Sequence, residues 1–137
     1  MSSFRGDFNC AQSIFSSFAP NVGLDKDIAL KIATGFGGGM GRLQNTCGAV
    51  SGAFMVIGLK YGRGLNDNNE SRDKTYELVR EFANRFVKLH GSIICKELLA
   101  CDINTDEGKL YYEQNDFFEK KCFRYVKDSA RILEEIL

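Results

Sequence analysis

The chain has 137 residues, with 18 Lys+Arg against 18 Asp+Glu, so its formal net charge is zero and nothing electrostatic favours nucleic acid or an acidic membrane as partner. The length suits one domain with one core, and 44% hydrophobic with 26% charged residues is ordinary for a folded chain. The opening MSSFRGDFNC lacks the apolar stretch of a signal peptide, and the longest apolar run, AFMVIGL, is too short to span a bilayer, so a soluble, cytoplasmic protein without membrane insertion is expected.

In chain order the pattern reads as helices. NCAQSIFSSF opens with Asn9 as N-cap, and Gln12 completes a capping box with it; Pro20 stops that helix. LDKDIALKIATGF offers Asp25 as the next cap, with Ile28, Ile32 and Phe36 one turn apart on one face. After a glycine run, Thr46 is placed to cap CGAVSGAFMVIGLKYG, a helix apolar nearly all round and so suited to a central, buried position. GRGLNDNNES reads as a loop. Ser71 is placed to cap a long helix carrying Tyr76, Val79, Phe82, Ala83 and Phe86, which ends at His90-Gly91. Ser92 caps the short IICKELLA, and CDINTDEGK reads as another loop. The last helix runs from about Phe117 to the end, with Phe118, Cys122, Val126, Ser129, Leu133 and Ile136 along one face. No segment alternates apolar and polar residues as a strand does. The expectation is an all-α single domain over residues 1–137, five or six helices around a glycine-rich apolar central helix.

The run GFGGGMGRLQNTCGAVSG resembles a phosphate-binding loop and fails the test of one. The dinucleotide fingerprint G-x-G-x-x-G meets Met40, Arg42 or Gln44 at its third glycine in each register. The P-loop fails because Arg42 follows Gly41 with no Ser or Thr after it. Glycine also lets another backbone come close. Gly48 and Gly52 share a helix face, as do Gly58 and Gly62, which suits either tight helix packing or a cofactor lying on that face.

Five cysteines stand at 10, 47, 95, 101 and 122. Read from the caps, Cys10, Cys47 and Cys95 fall in first turns, where amide groups and the helix dipole stabilise a thiolate. Cys122 points inward from the last helix, and Cys101 sits in a loop. No pair has C-x-x-C spacing, which counts against a zinc ribbon and a thioredoxin-type pair. From these features alone, a metal or redox site and a set of inert core thiols both stay open.

NCAQ, GFGGGMGRLQNTCGAVSGAFMVIGLKYG, CKELL and KCFRYVKDSARILEE follow one another in order. Together they resemble the C_GCAxxG_C_C family of redox-active proteins, also described by a CGAxxG motif, from Asn9 to about Glu135. The four characteristic cysteines of that family map onto Cys10, Cys47, Cys95 and Cys122, leaving Cys101 as the extra one. Thr46 stands where the GCAxxG form of the motif has glycine, so the sequence fits the CGAxxG form. Similarity between the family and a domain of multihaem and iron–sulfur proteins implies a metal or iron–sulfur centre. Covalent c-type haem is not expected, since C-x-x-C-H is absent from the sequence.

Three functions are weighed, and the resemblance favours the first. The first is electron transfer through an iron–sulfur cluster, or another metal, held by Cys10, Cys47, Cys95 and Cys122, with a redox protein as partner. The second is thiol–disulfide exchange without metal. The third is a non-catalytic, metal-stabilised helical module that docks to a partner or forms a homodimer. His90 reads as a helix-end cation, and Tyr111, Tyr112, Phe117 and Phe118 read as packing. Arg42 reads as a surface charge within reach of an anionic group.

Overall fold

The computed structural model describes residues 8–137. The reading of the first seven residues as free of an apolar leader lies outside them. The described part is helical: α1 (Cys10–Phe18), a 3-10 turn (Ala19–Val22), α2 (Lys26–Ala33), α3 (Gly48–Tyr61), α4 (Asn69–His90), α5 (Cys95–Leu99), α6 (Asp106–Gln114), a π-turn (Phe118–Cys122) and α7 (Phe123–Ile136). Among the described residues no strand forms; Thr46 and Ile94 make one isolated antiparallel bridge. The expected all-α class is therefore observed, and no described helix is long and apolar enough to cross a membrane.

Local chemistry explains most helix starts. Asn9 caps α1 with both arms of a capping box: Gln12 N–H donates to Asn9 Oδ1 (2.9 Å) and Asn9 N–H to Gln12 Oε1 (3.0 Å). Asp25 caps α2 through Ile28 N–H. Three starts differ from expectation. Asn68, not Ser71, caps α4, because its side chain reaches Glu70 N–H. Cys47 itself, rather than Thr46, is the N-cap of α3, since Thr46 is drawn into the bridge with Ile94. Ser92 caps no helix directly; it accepts from Ile94 N–H and donates to Glu97, and α5 begins at Cys95. The loop reading of CDINTDEGK gives way after Asn104, where Thr105 caps α6 by accepting from Gly108 N–H.

The core gathers Ile14, Val50, Val56, Ile57, Phe82, Phe86, Val126 and Leu133, all fully buried. Burial of each large side chain stabilises by about 1.5–3 kcal/mol. Helix α3 packs against α1, α4 and α7. Gly48 and Gly52 make the α1 contact close: a Cβ at Gly52 would stand 2.9 Å from the Ala11 carbonyl oxygen, and one at Gly48 3.0 Å from Ala11 N. Gly58 has no such role, because the space beside it is open, and Gly62 lies past the helix end. Helix α2 also departs from expectation. It buries Ala29 and Ala33, while Ile28 and Ile32 are about half exposed. Contact with α1 is made by the small residues.

A second apolar cluster of Cys95, Leu99 and Phe117 adjoins the first. Cys122 packs against both. The candidate site lies at this junction.

Candidate functional site

Four elements bring Cys10, Cys47, Cys95 and Cys122 to the wall of one cavity of about 230 Å³. Cys10 opens α1, Cys47 caps α3, Cys95 opens α5 and Cys122 closes the π-turn. The wall is otherwise largely apolar, including Leu98, Leu99 and Ile103; among the described residues Arg42 is its one charged member. Cys101 is not part of the lining. Among the described residues, no three His, Cys, Asp or Glu side chains stand placed to hold a single metal ion. The thiols ring a space rather than converge on a point.

The glycine run builds one side of this wall. Residues 38–42 all have φ between 58° and 71°, a single turn of left-handed helix. Its amides close back on the turn, Arg42 N–H to Gly37 O, Gln44 N–H to Gly38 O and Asn45 N–H to Gly39 O. Two of these left-handed positions, Met40 and Arg42, are L-residues, and Gln44 just beyond them is a third with positive φ, each at a cost of about 1–2 kcal/mol. Gly39 must be glycine for a further reason. A Cβ there would stand 2.8 Å from Cys95 Cβ and 2.7 Å from the Gln44 backbone. The left-handed turn is thus pressed against Cys95.

Backbone and amide hydrogen bonds lock the turn to α5. Cys95 N–H donates to Asn45 O (2.6 Å), Lys96 N–H to Gln44 O (3.2 Å) and Cys47 N–H to Ile93 O (2.7 Å). Gln44 is buried and its amide is fully engaged: Nε2 donates to Cys101 O (2.9 Å) and Oε1 accepts from Ile103 N–H (2.9 Å). Gln44 Nε2 also lies 4.0 Å from Cys95 Sγ. Three left-handed L-residues, one of them carrying a buried amide, on one short segment are the kind of stored strain that clusters at functional sites.

The four thiols are not equivalent. Burial pushes the Cys47 thiol up to about 12, against a lowering by the Ala49 and Val50 amides at the head of α3. Burial likewise pushes Cys95 up to about 11, with Gln44 opposing. Cys10 is raised well above the usual thiol value, first by its hydrogen bond with Cys122 and then by burial. Cys122 moves the other way: hydrogen bonding with Cys10 lowers it against the cost of burial, helped by Tyr112 and the Lys121 charge. The two thiols of this pair titrate together, and one proton leaves it more readily than the other. Lys121 is held in place by donating to Leu98 O (3.2 Å) and by standing 4.2 Å over the Phe117 ring.

Three contributors were invisible to sequence reasoning in this role. Gln44 and Lys121 lie in no recognisable pattern. Tyr112, read as packing, turns its hydroxyl to within 3.5 Å of Cys122 Sγ. The π-turn is a fourth surprise. It inserts a residue before α7; Phe118, expected on one face with Cys122, lines the cavity beside it while staying 37% exposed. His90 stands away from the cavity lining, bonded to Asp128 (2.8 Å) and packed between Phe86 and Tyr125.

A protein of Archaeoglobus fulgidus that carries the name "Uncharacterized protein" is 26% identical over 132 residues, covering 90% of this chain and 81% of its own length. No solved structure matches the chain. A family model described as "Putative redox-active protein (C_GCAxxG_C_C)" matches residues 8–136, and the chain belongs to that redox family.

Proposed function

We propose that the protein transfers electrons through an iron–sulfur cluster held in the cavity by the thiolates of Cys10, Cys47, Cys95 and Cys122. The observation that carries this reading is the placement of those four residues, from four separate elements, around one largely apolar cavity. Four cysteines are the donor set of a [2Fe–2S] or [4Fe–4S] cluster. A single tetrahedral ion, with metal–sulfur bonds of ~2.3 Å, needs sulfurs about 3.8 Å apart. Thiols that ring a space suit a polynuclear group better. When bound, such a cluster supplies one-electron chemistry.

The chain's own residues supply the rest. Apolar walls exclude water, and Arg42 and Lys121 place positive charge beside an anionic centre. The Ala49 and Val50 amides and the Gln44 amide face the Cys47 and Cys95 sulfurs. A second redox protein is the expected partner.

Anaerobic reconstitution with ferrous iron and sulfide tests the reading. Brown protein containing both is expected. Cys10→Ala, Cys47→Ala, Cys95→Ala and Cys122→Ala should each bind at least fivefold less iron, and Cys101→Ala should load normally. Colourless protein with no iron bound sinks the idea.

One observation favours a second reading. Cys10 and Cys122 share the cavity wall, and each shifts the proton affinity of the other, which sets them up as a dithiol. The Cys122 thiolate would attack an external disulfide and expel one thiol, and Cys10 would then close the internal disulfide and expel the other. Two thiols lost on exposure to oxidised glutathione, and mapped to this pair in protein that binds no iron, would favour this reading over the first.

A further inference from the structure

We propose that Tyr112 tunes the centre: its phenol hydroxyl donates a hydrogen bond to the Cys122 sulfur and thereby raises the reduction potential. The inference rests on the cluster reading above and adds a residue to it. Tyr112 lies on α6, the helix that the sequence does not announce, and it lines the cavity. Its ring is fixed edge-on to Phe117 at 6.1 Å. Among the described residues, the only hydrogen-bond partner of its hydroxyl is Cys122 Sγ, at 3.5 Å.

Between a phenol and a thiol either group can donate. A thiolate bound to iron has no proton left, so the phenol becomes the donor of necessity. A hydrogen bond to a ligating sulfur withdraws charge from it and favours the reduced, more negative centre. The neighbouring Tyr111 provides the contrast within two turns of chain. It packs against the same Phe117 ring, at 5.4 Å, but is about half exposed and lines no part of the cavity. Packing therefore explains Tyr111 fully and leaves the inward hydroxyl of Tyr112 unexplained.

The test uses the full chain, reconstituted anaerobically, as wild type, Tyr112→Phe and Tyr111→Phe. A fourth protein carries 3-fluorotyrosine at position 112, a stronger donor of the same shape. Midpoint potential and the iron–thiolate stretching frequencies by resonance Raman are the readouts. Tyr112→Phe should shift the potential down and one stretching band up. The fluorinated protein should shift both the opposite way, and Tyr111→Phe should change neither. Equal potentials in equally loaded wild type, Tyr112→Phe and fluorinated protein overturn the role of Tyr112 and leave the cluster standing. Failure of every protein, wild type included, to bind iron overturns both.

Discussion

At the residue scale, Gly39 and Gly41 separate two reasons for glycine in one segment. Both have positive φ, so alanine at either meets the left-handed penalty of about 1–2 kcal/mol. Only at Gly39 would the new Cβ also press on the Gln44 and Asn45 backbone and on Cys95 Cβ, all under 3.0 Å; beside Gly41 the nearest atom is at 3.9 Å. Gly39→Ala should therefore destabilise by at least about 2 kcal/mol more than Gly41→Ala, since backbone has to move. Chemical denaturation of the two variants measures the difference. Equal losses would mean that the turn can lift away from Cys95 freely. This contact also shows what could be read beforehand. The failed nucleotide registers left close backbone approach as a role for the glycines, but not the identity of the neighbour. The close contact is with Cys95, more than fifty residues further along the chain, and no local pattern carries that pairing.

At the element scale, α3 contains the same amino acid in two opposite situations. Gly52 faces α1, with the Ala11 carbonyl oxygen 2.9 Å from a would-be Cβ, whereas Gly58 faces open space in the same helix. Gly52→Ala has to push α1 away and should cost about 1–3 kcal/mol. Gly58→Ala relieves the poor helix propensity of glycine and should stabilise by about 0.5–1 kcal/mol. Opposite signs in thermal unfolding would establish the close α1–α3 contact; the same sign for both would refute it. The four-residue spacing of Gly48 and Gly52 and that of Gly58 and Gly62 look alike in sequence. What differs is which neighbour folds against each face, and tertiary packing alone decides that. Helix α6 was hidden for a related reason. DEGKLYYEQ buries only Gly108 and presents mostly polar residues, so no apolar stripe marks it. Helices with a strong stripe or a full capping box, such as α1 and α7, were legible. The π-turn before α7 was not, because its extra residue leaves the spacing of apolar residues in α7 unchanged.

At the scale of the whole molecule, the candidate site is where the helices are joined. Helices α1, α3 and α5 and the π-turn each contribute one cysteine to the cavity, and α5 has only five residues. A short helix contributes little stability of its own. What holds α5 here is a handful of hydrogen bonds to residues 44–47, the Lys121 and Tyr125 bonds to Leu98 O and Leu99 O, and the small Cys95–Leu99–Phe117 cluster. A centre ligated by all four cysteines would tie this weak element to α1, α3 and α7 directly. Binding to the folded state alone stabilises by RT ln(1 + [L]/Kd), about 2.7 kcal/mol at a hundredfold excess over Kd. For a chain of this length that corresponds to roughly 10 °C in melting temperature. Anaerobic iron loading should raise the melting temperature by that order, and removal by a chelator should reverse it. Hydrogen exchange should place the gain first in α5 and residues 44–47, since the core around Phe82 and Phe86 is already fully buried without it. Iron that binds without raising the melting temperature, or that protects α4 rather than α5, would put the metal elsewhere on the molecule and separate it from the four-cysteine cavity.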